Sequence, residues 1–523
     1  MTRFLAPSAI LLCVLSATPL YAQELMPLAV TPQPALVHHA VSTQNPEAQQ
    51  KFDEGLTLVY AFNRDESAKR FAKAAELDPK LAMAWWGVAL ANGPNLNYGM
   101  NAARVTAANE ALAKAKALAS GASPEEQRYV AALAVRYAAK YEGAAAARGG
   151  YLAYRDAMAK LHADYPDDLD AATLYAESVM DTDEWGWKDG QPTGSAAPLA
   201  ALLESVLKRD SNHVGANHYY VHVMDFPGVA VRALPSAMKL SALPAEPAAS
   251  HLVHMSGHNY LDNGLFGPLE RDNKIAVDDD RRYAASVGKT PAQLDYFFHN
   301  LDFYLGGTLM LDDRAETERA LAIARATRGR GMLDALAFAR ERRWNDVLAL
   351  PLPANTNSYD ALGMHYARGV AFAGKHDAAS AHAELAILDQ ALLEMTGFLK
   401  NAAGSVDKLL AARVAHLEGD DATATARLRE VVATVAPLPP EVFPPWYFPT
   451  GEWLGSILFQ AGDYAGAEAA YRAELKRTPH NARALFGLMQ TLTREGLTDE
   501  ARALSLEIAQ NWRGPLTDLR LDD

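Results

Sequence analysis

Near both ends of the chain, the same residue types recur at the same offsets. Gly55, Ser67, Phe71, Ala74 and Pro79 give a small, small, aromatic, alanine and proline series, and in the same register Trp85 and Ala89 begin the next copy. Leu454, Gly455, Ala467, Tyr471 and Pro479 repeat the series, Leu485, Leu488 and Ala501 follow one period later, and Ala367, Ala379 and Ala383 form a fainter copy. A unit of about 34 residues with these positions is a helix–turn–helix hairpin whose apolar face no single copy can cover. Such hairpins have to stack side by side, and that requirement limits the fold more than anything else in the sequence.

The template is that of the tetratricopeptide repeat, so the fold class predicted is all-α: an α-solenoid of tetratricopeptide-like helix–turn–helix repeats. Alanine-rich helical periodicity runs through 104–119, 124–140, 150–163, 168–181, 315–328 and 361–388, and strand signals are nearly absent. Pro166, Pro227, Pro244, Pro247, Pro291 and Pro444-Pro445 punctuate helix ends. The stretch 183–196, with Trp185 and Trp187, reads as a loop. The expected organisation is a signal peptide at 1–22, an extended leader at 23–44, N-terminal repeats at 45–165, degenerate central repeats at 166–310 and C-terminal repeats at 311–523.

Arg3, the apolar run Phe4 to Leu20 and Ala22 have the pattern of a secretory leader, which predicts a periplasmic or secreted protein. Cys13 is the only cysteine and lies in that leader, so neither disulfides nor thiolate ligands are expected afterwards. No later apolar run is long enough to insert in a membrane. The net charge of −14, with no basic patch, argues against nucleic acid and anionic lipid as partners.

Six of the 15 histidines fall between His213 and His258. His218, His222 and Asp225 stand at helical spacing, as do His251, His254 and His258, so each set forms a stripe on one helix face. Reading 212–225, 229–242, 248–262, 266–277 and 292–306 as alternating helices makes the first, third and fifth lateral neighbours, since equivalent helices stack in a repeat array. They carry His218 and His222, then the 251–258 stripe, then His299. Helices packed 8–10 Å apart let imidazoles from both sides reach one ion. The candidate metal ligands are therefore His218, His222, His251, His254, His258 and His299, for one or two ions. Without thiolates, an imidazole set suits zinc, copper or non-haem iron. Asp225 is the candidate catalytic carboxylate, as a general base, a ligand or the acceptor that orients a ring.

The segments AQQKFDEGLTLVYAFN (48–63), AMAWWGVALANGPNLN (82–97), NHYYVHVMD (217–225), HLVHMSGHNY (251–260), FFHNLDF (297–303) and WYFPTGEWLG (446–455) carry a resemblance. The chain resembles a family of bacterial tetratricopeptide-repeat proteins with an H-Y-Y-x-H motif followed by H-L-V-H-M-P-S-H-I-Y. The resemblance spans nearly all of the chain after the leader, and it implies the solenoid and the histidine site rather than an activity. Here Ser256-Gly257 replaces Pro-Ser, Asn259 replaces Ile, Asp225 stands where Glu is usual, and Arg64 and Asp302 each replace a histidine.

Other features read as structural. Gly369 to Lys375 imitates a phosphate loop, but His376 takes the Ser/Thr position and a helix precedes it. No H-E-x-x-H or G-x-S-x-G occurs. Glu177 and Asp181 read as a solvated helical pair, and His38 and His39 as stray loop residues. Trp446, Tyr447, Phe448 and Trp453 read as core plugs, and His162, His365, His376, His382, His416 and His480 as scattered. Two functions follow: a metal-binding protein, and possible metal-dependent enzyme, with a histidine-lined groove, or a scaffold that grips a peptide, protein or small-molecule ligand in its concave groove.

Overall fold

The computed structural model describes residues 36–138, 140–329, 331–353, 358–395, 405–435 and 449–521. The expected leader at 1–22 and the aromatic trio Trp446, Tyr447 and Phe448 lie outside the described residues.

The chain begins as two helix pairs: α1 (Pro46–Tyr60) with α2 (Arg64–Leu77), and α3 (Ala82–Ala91) with α4 (Ala102–Leu118). Asn45 starts α1 by accepting hydrogen bonds from the Glu47 and Ala48 amides, and Pro46 fits the first turn, where its missing N–H costs nothing. The repeat positions then explain the packing. The Phe71 ring sits on Gly55 and Gly87, where an added Cβ would lie 2.8 Å and 2.3 Å from it. At the other end, Tyr471 sits in the same way on Gly455 and Gly487, with 2.6 Å and 2.1 Å to an added Cβ. In both copies one large ring fills the gap left by small residues on two neighbouring helices. Gly87→Ala is accordingly expected to destabilise the protein by about 1–3 kcal/mol through overpacking, measured as a lower denaturation midpoint with an unchanged slope.

The central helices are α5 (Pro124–Ala134), α6 (Ala144–Asp164), α7 (Leu169–Met180), α8 (Ala196–Arg209), α9 (Val214–Val223), α10 (Leu234–Ser241), α11 (Ser250–Asp262), α12 (Phe266–Ser286) and α13 (Phe297–Leu311). Helix pairs continue to the C-terminus, ending in Ala482–Arg494 and Thr498–Asn511. Several hairpins turn through one left-handed residue between the paired helices: Gly264, Gly419, Gly462 and Gly496 in four of them, but Phe62 between α1 and α2. A bulky residue held there costs of order 1–2 kcal/mol, which glycine avoids.

Three expectations change. Residues 183–196 are not wholly loop: β1 (Trp185–Lys188) and β2 (Gln191–Gly194) pair as an antiparallel hairpin. Its turn residues Asp189 and Gly190 both take positive φ, the conformation favoured by tight two-residue hairpins. The run 361–388 is two helices, Tyr359–Gly374 and Ala378–Glu394, broken at left-handed His376. The phosphate-loop look-alike is thus the end of a helix and a repeat turn. The helix expected over 124–140 ends at Ala134.

The superhelix curls far enough for distant parts to meet. Tyr98 donates to the Asp295 carbonyl, Asn97 to the Tyr296 hydroxyl, and Asn63 to the Ala248 carbonyl. Near the C-terminus, Arg513 pairs with Glu270 and Asp313. The N-terminal helix pair is therefore seated on the central repeats, and one large hydrophobic core runs through most of the described residues, with a smaller cluster of Ala482, Leu485, Ile508, Trp512 and Leu519 near the C-terminus.

Candidate metal centre

Helices α9, α11 and α13 are lateral neighbours, as the repeat register predicts, and α1 packs against α9. Every residue of α9 is buried, which follows from its position amid α1, α7, α8, α10 and α11. All six histidines meet on these three helices, in two triads. His218, His222 and His251 form one, and His254, His258 and His299 the other; within each, one nitrogen per ring lies within 4.8 Å of the others. The triads touch, with His251 and His254 stacked at 5.5 Å between ring centroids and His222 and His258 at 6.3 Å.

The site is enclosed rather than an open groove. His218 and His254 are fully buried, and His222, His251 and His258 nearly so. The physical reason is the N-terminal turn. Phe62 lies against His218, His222 and His251, at 4.6, 6.0 and 5.3 Å. Phe303 does the same for the second triad, at 5.0, 4.6 and 4.8 Å from His254, His258 and His299. The strained turn at Phe62 thus places a ring over the site.

Hydrogen bonds on the far side of the rings fix which nitrogen is bare. The Nδ1 of His218 lies 2.5 Å from the Tyr60 carbonyl, which can only accept, so Nδ1 carries the proton and Nε2 a lone pair. His258 Nδ1 donates to the Asp225 carboxylate at 3.0 Å. His254 Nδ1 donates to the Asn273 amide oxygen at 2.6 Å, and that amide's orientation is set because its nitrogen donates to the Leu269 carbonyl. The Nε2 of His254 therefore carries a lone pair and faces the Nε2 of His258 at 3.1 Å; with His258 neutral two lone pairs meet, and with His258 protonated beside Asp225 its Nε2–H donates to His254. His299 Nε2 is 3.2 Å from His258 Nε2, and His222 Nε2 is 3.1 Å from His218 Nε2. Ligands at 2.0–2.1 Å from one ion, about 90–110° apart, stand about 2.9–3.4 Å from each other, so these spacings match a shared ion. His251 fits as well: neither of its buried ring nitrogens has a hydrogen-bond partner.

Burial disfavours the imidazolium forms. Burial, aided by the charge of His258, pushes His218 down to about 3 against its hydrogen bond to the Tyr60 carbonyl, and His299 also to about 3. It drives His222, His251 and His254 well below their usual value, with neighbouring imidazoles adding to the effect. These rings are neutral near pH 7, the form that ligates.

The structure places Asp225 behind His258, where it orients the ring; among the roles left open by the sequence, its position fits that one. Gly257 is small because Asn273 crosses it: a Cβ there would meet the amide nitrogen at 2.3 Å. Sequence reasoning missed Tyr60, Asn273, Phe62 and Phe303. The two phenylalanines flank recognisable motifs, but the carbonyl and the amide carry no motif at all.

A third group of ligand-type side chains contains His39, Asp168 and Asp170. His39 is not a stray loop residue, because its ring bonds buried Asp170 at 2.9 Å. Burial opposes its charge, but the hydrogen bond and charge of Asp170 outweigh that and hold it up to about 9, as an imidazolium that cannot ligate. Asp170 also accepts from Tyr60 at 2.5 Å and from His213 at 3.3 Å, while Tyr129 donates to Asp168. These charges compensate one another, and the group is structural. Glu177 and Asp181 are likewise not solvated: Glu177 is buried, and the Asp181 side chain is only 5% exposed and pairs with buried Arg136 at 2.7 Å. His365 is buried against Glu384, and Trp453 is buried in the core.

Residues 458–510, which form the C-terminal copy of the repeat pattern, match the family model of the tetratricopeptide repeat. Among solved structures, the chain is similar to Naa15/Naa10 bound to HypK-THB, at 14% identity over 89% of this chain and 71% of that one, with a TM-score of 0.22. It is also similar to the TPR domain of P58(IPK), at 13% identity over 74% of this chain and 93% of that one, with a TM-score of 0.20. No curated protein sequence matches the chain.

Proposed function

We propose that this all-α solenoid of tetratricopeptide-like repeats binds two transition-metal ions, one in each histidine triad. The observation that carries the reading is the convergence of three buried or half-buried imidazoles in each triad, with one nitrogen per ring within 4.8 Å of the others. His254 and His258 face through Nε2 at 3.1 Å, and when both are neutral their lone pairs repel unless a cation lies between them; a metal ion engages all three rings of a triad, where a proton joins only two. An all-imidazole donor set suits zinc, copper(II) or non-haem iron. Three protein ligands leave a fourth position open, the arrangement of catalytic rather than structural sites, so each ion would supply Lewis-acid activation of whatever binds there. The protein's own part is to hold the rings by the Tyr60 carbonyl, Asn273 and Asp225, and to exclude water with Phe62 and Phe303. Export to the periplasm or the medium fits the leader sequence; the mature chain would then begin at or near Gln23.

The test is titration of metal-free protein with zinc or copper(II), followed by thermal unfolding. Two sites should saturate, and the midpoint should rise with metal concentration. Asn273→Ala frees His254 without removing a ligand, so it should weaken binding about 10–100-fold while leaving the stoichiometry unchanged. Affinity equal to that of the unmodified protein would remove the orienting role from Asn273.

A second reading, the peptide- or protein-binding scaffold, is favoured by the repeat match at 458–510. Repeat arrays present concave surfaces to such ligands. The C-terminal repeats can serve that function without involving the histidines, so the two readings are compatible.

A further inference from the structure

His251 belongs to the first triad and also lines a cavity of about 90 Å3. At about 10–15 Å3 for each water-sized group, that is room for a molecule of about six to nine such groups. One face of the His251 ring is stacked with Tyr296 at 4.1 Å and another ring, Phe62, lies at 5.3 Å, so the inner end of the cavity is aromatic. The outer part is charged. Arg64, Arg104 and Lys289 all line it, with Asp65 serving two of them: 2.7 Å to Arg104 and 3.7 Å to Lys289.

Arg64 is left over. Its Nη1 reaches the Gly99 carbonyl at 3.1 Å, but its Nε is buried without a hydrogen-bond partner, and no carboxylate stands within ion-pairing distance among the described residues. A guanidinium is a planar fork matched to a carboxylate, and Arg64, which lies over the Tyr98 ring and feels Asp295 and Asp65 only from beyond ion-pairing distance, favours an incoming anion. The cavity's carboxylates do not cancel its cations. Asp280 is engaged by Ser250 at 2.6 Å and Asn300 at 2.8 Å, and burial raises it to about 7 despite those bonds. Near neutral pH Asp280 is thus only partly ionised, so Asp65, Asp295 and a fraction of Asp280 stand against three cations.

We propose that this cavity is the ligand pocket of the metal centre, and that it takes a small aromatic carboxylate, with the carboxylate on Arg64 and the ring against Tyr296 beside His251. The placement beside an ion rests on the two-metal reading above; the anion site itself does not. The sequence places Arg64 at the start of α2, immediately after the turn that carries Phe62, so one hairpin turn supplies both the ring covering the triad and the anion anchor.

Benzoate, a flat carboxylate of suitable size, tests the proposal by calorimetric titration into metal-free protein, with benzamide and inorganic phosphate as comparisons. Benzoate should bind at least tenfold more tightly than either. Arg64→Leu should lose at least tenfold in benzoate affinity, and Arg64→Lys should lose less. Lys289→Met, at a partly exposed position whose change leaves the core untouched, should lose a few-fold even if Arg64→Leu proves unstable. In copper(II)-loaded protein, benzoate should shift the visible ligand-field band, and Arg64→Leu should abolish that shift at the same benzoate concentration. Equal benzoate binding by the unmodified protein, Arg64→Leu and Lys289→Met would overturn the proposal, as would binding of benzamide or phosphate as tight as that of benzoate. A copper band that stays unchanged with benzoate bound would overturn the placement beside His251. Because the first measurement uses metal-free protein, failure of the two-metal reading would appear as absent copper with benzoate binding intact.

Discussion

Asp170→Asn is expected to cost about 3–5 kcal/mol, the usual consequence of removing one partner from a buried ion pair. Asp170 is the hub of the N-terminal junction: it accepts from His39 ahead of α1, from His213 at the start of α9 and from Tyr60 at the end of α1. Burial alone would raise its carboxyl. The hydrogen bonds from His213 and His39, with the charge of His39, outweigh burial and hold it far below the carboxylate range. An amide keeps the size but not the charge, so His39 would have to become neutral or remain buried without compensation. The pH dependence gives a second readout. His39 is raised to about 9 in the folded protein, against about 6.5 when unfolded. Its contribution is therefore complete below about pH 6.5 and is lost as pH rises through about 9. Asp170, being lowered, contributes above the unfolded carboxylate value of about 3.9 and loses that contribution as pH falls below it. Denaturant unfolding between pH 6 and 10 should show stability falling toward the alkaline end in the unmodified protein, and a flatter profile in Asp170→Asn. Equal stability of the two proteins at pH 7 would contradict this account of the junction.

His254→Ala should remove one ion and leave the other. His254 lies 3.1 Å from His258 between facing Nε2 atoms, so its loss leaves the second triad with two imidazoles, while His218, His222 and His251 stay complete. A ligand that binds only the folded state stabilises it by RT ln(1 + [L]/Kd), about 4 kcal/mol at a thousandfold excess over Kd. Metal-dependent stabilisation should accordingly fall by about that amount, and a chelator should have correspondingly less effect on the variant. His416→Ala, at a residue bonded only to Asp421 on the same hairpin, should retain both ions and the full chelator response.

The architecture was legible because periodicity reports burial. Gly55, Phe71, Gly455 and Tyr471 recur since one ring must fill one gap in each repeat, and that register placed His222 and His258 on neighbouring helices although far apart in sequence. The division of six histidines into two triads was only one option at that stage, since helical spacing cannot say which ring crosses to which neighbour. The rest depended on closure of the superhelix, which no local pattern records. His39 looked like a loop residue because its partner, Asp170, lies 131 positions away. Tyr60 orients His218 through a backbone carbonyl, which any residue possesses. Asn273 acts only because Gly257 lets it pass, and Arg64 is a pocket residue only because closure of the superhelix brings it to one cavity with His251 and Tyr296. The hairpin at 185–194 is different: the stretch reads as a loop, although Asp189-Gly190 is the residue pair a tight two-residue hairpin favours.

The most direct test of the two-metal centre counts ions. Protein prepared without chelators, and again after incubation with zinc, copper(II) or iron(II), is analysed for metal content and by X-ray absorption at the edge of the bound metal. The account predicts two ions per chain, each with imidazole nitrogens at about 2.0–2.1 Å and no sulfur ligand. Fewer than about 0.1 ion per chain under all of these conditions, far below the single ion that even one closed site requires, would contradict it.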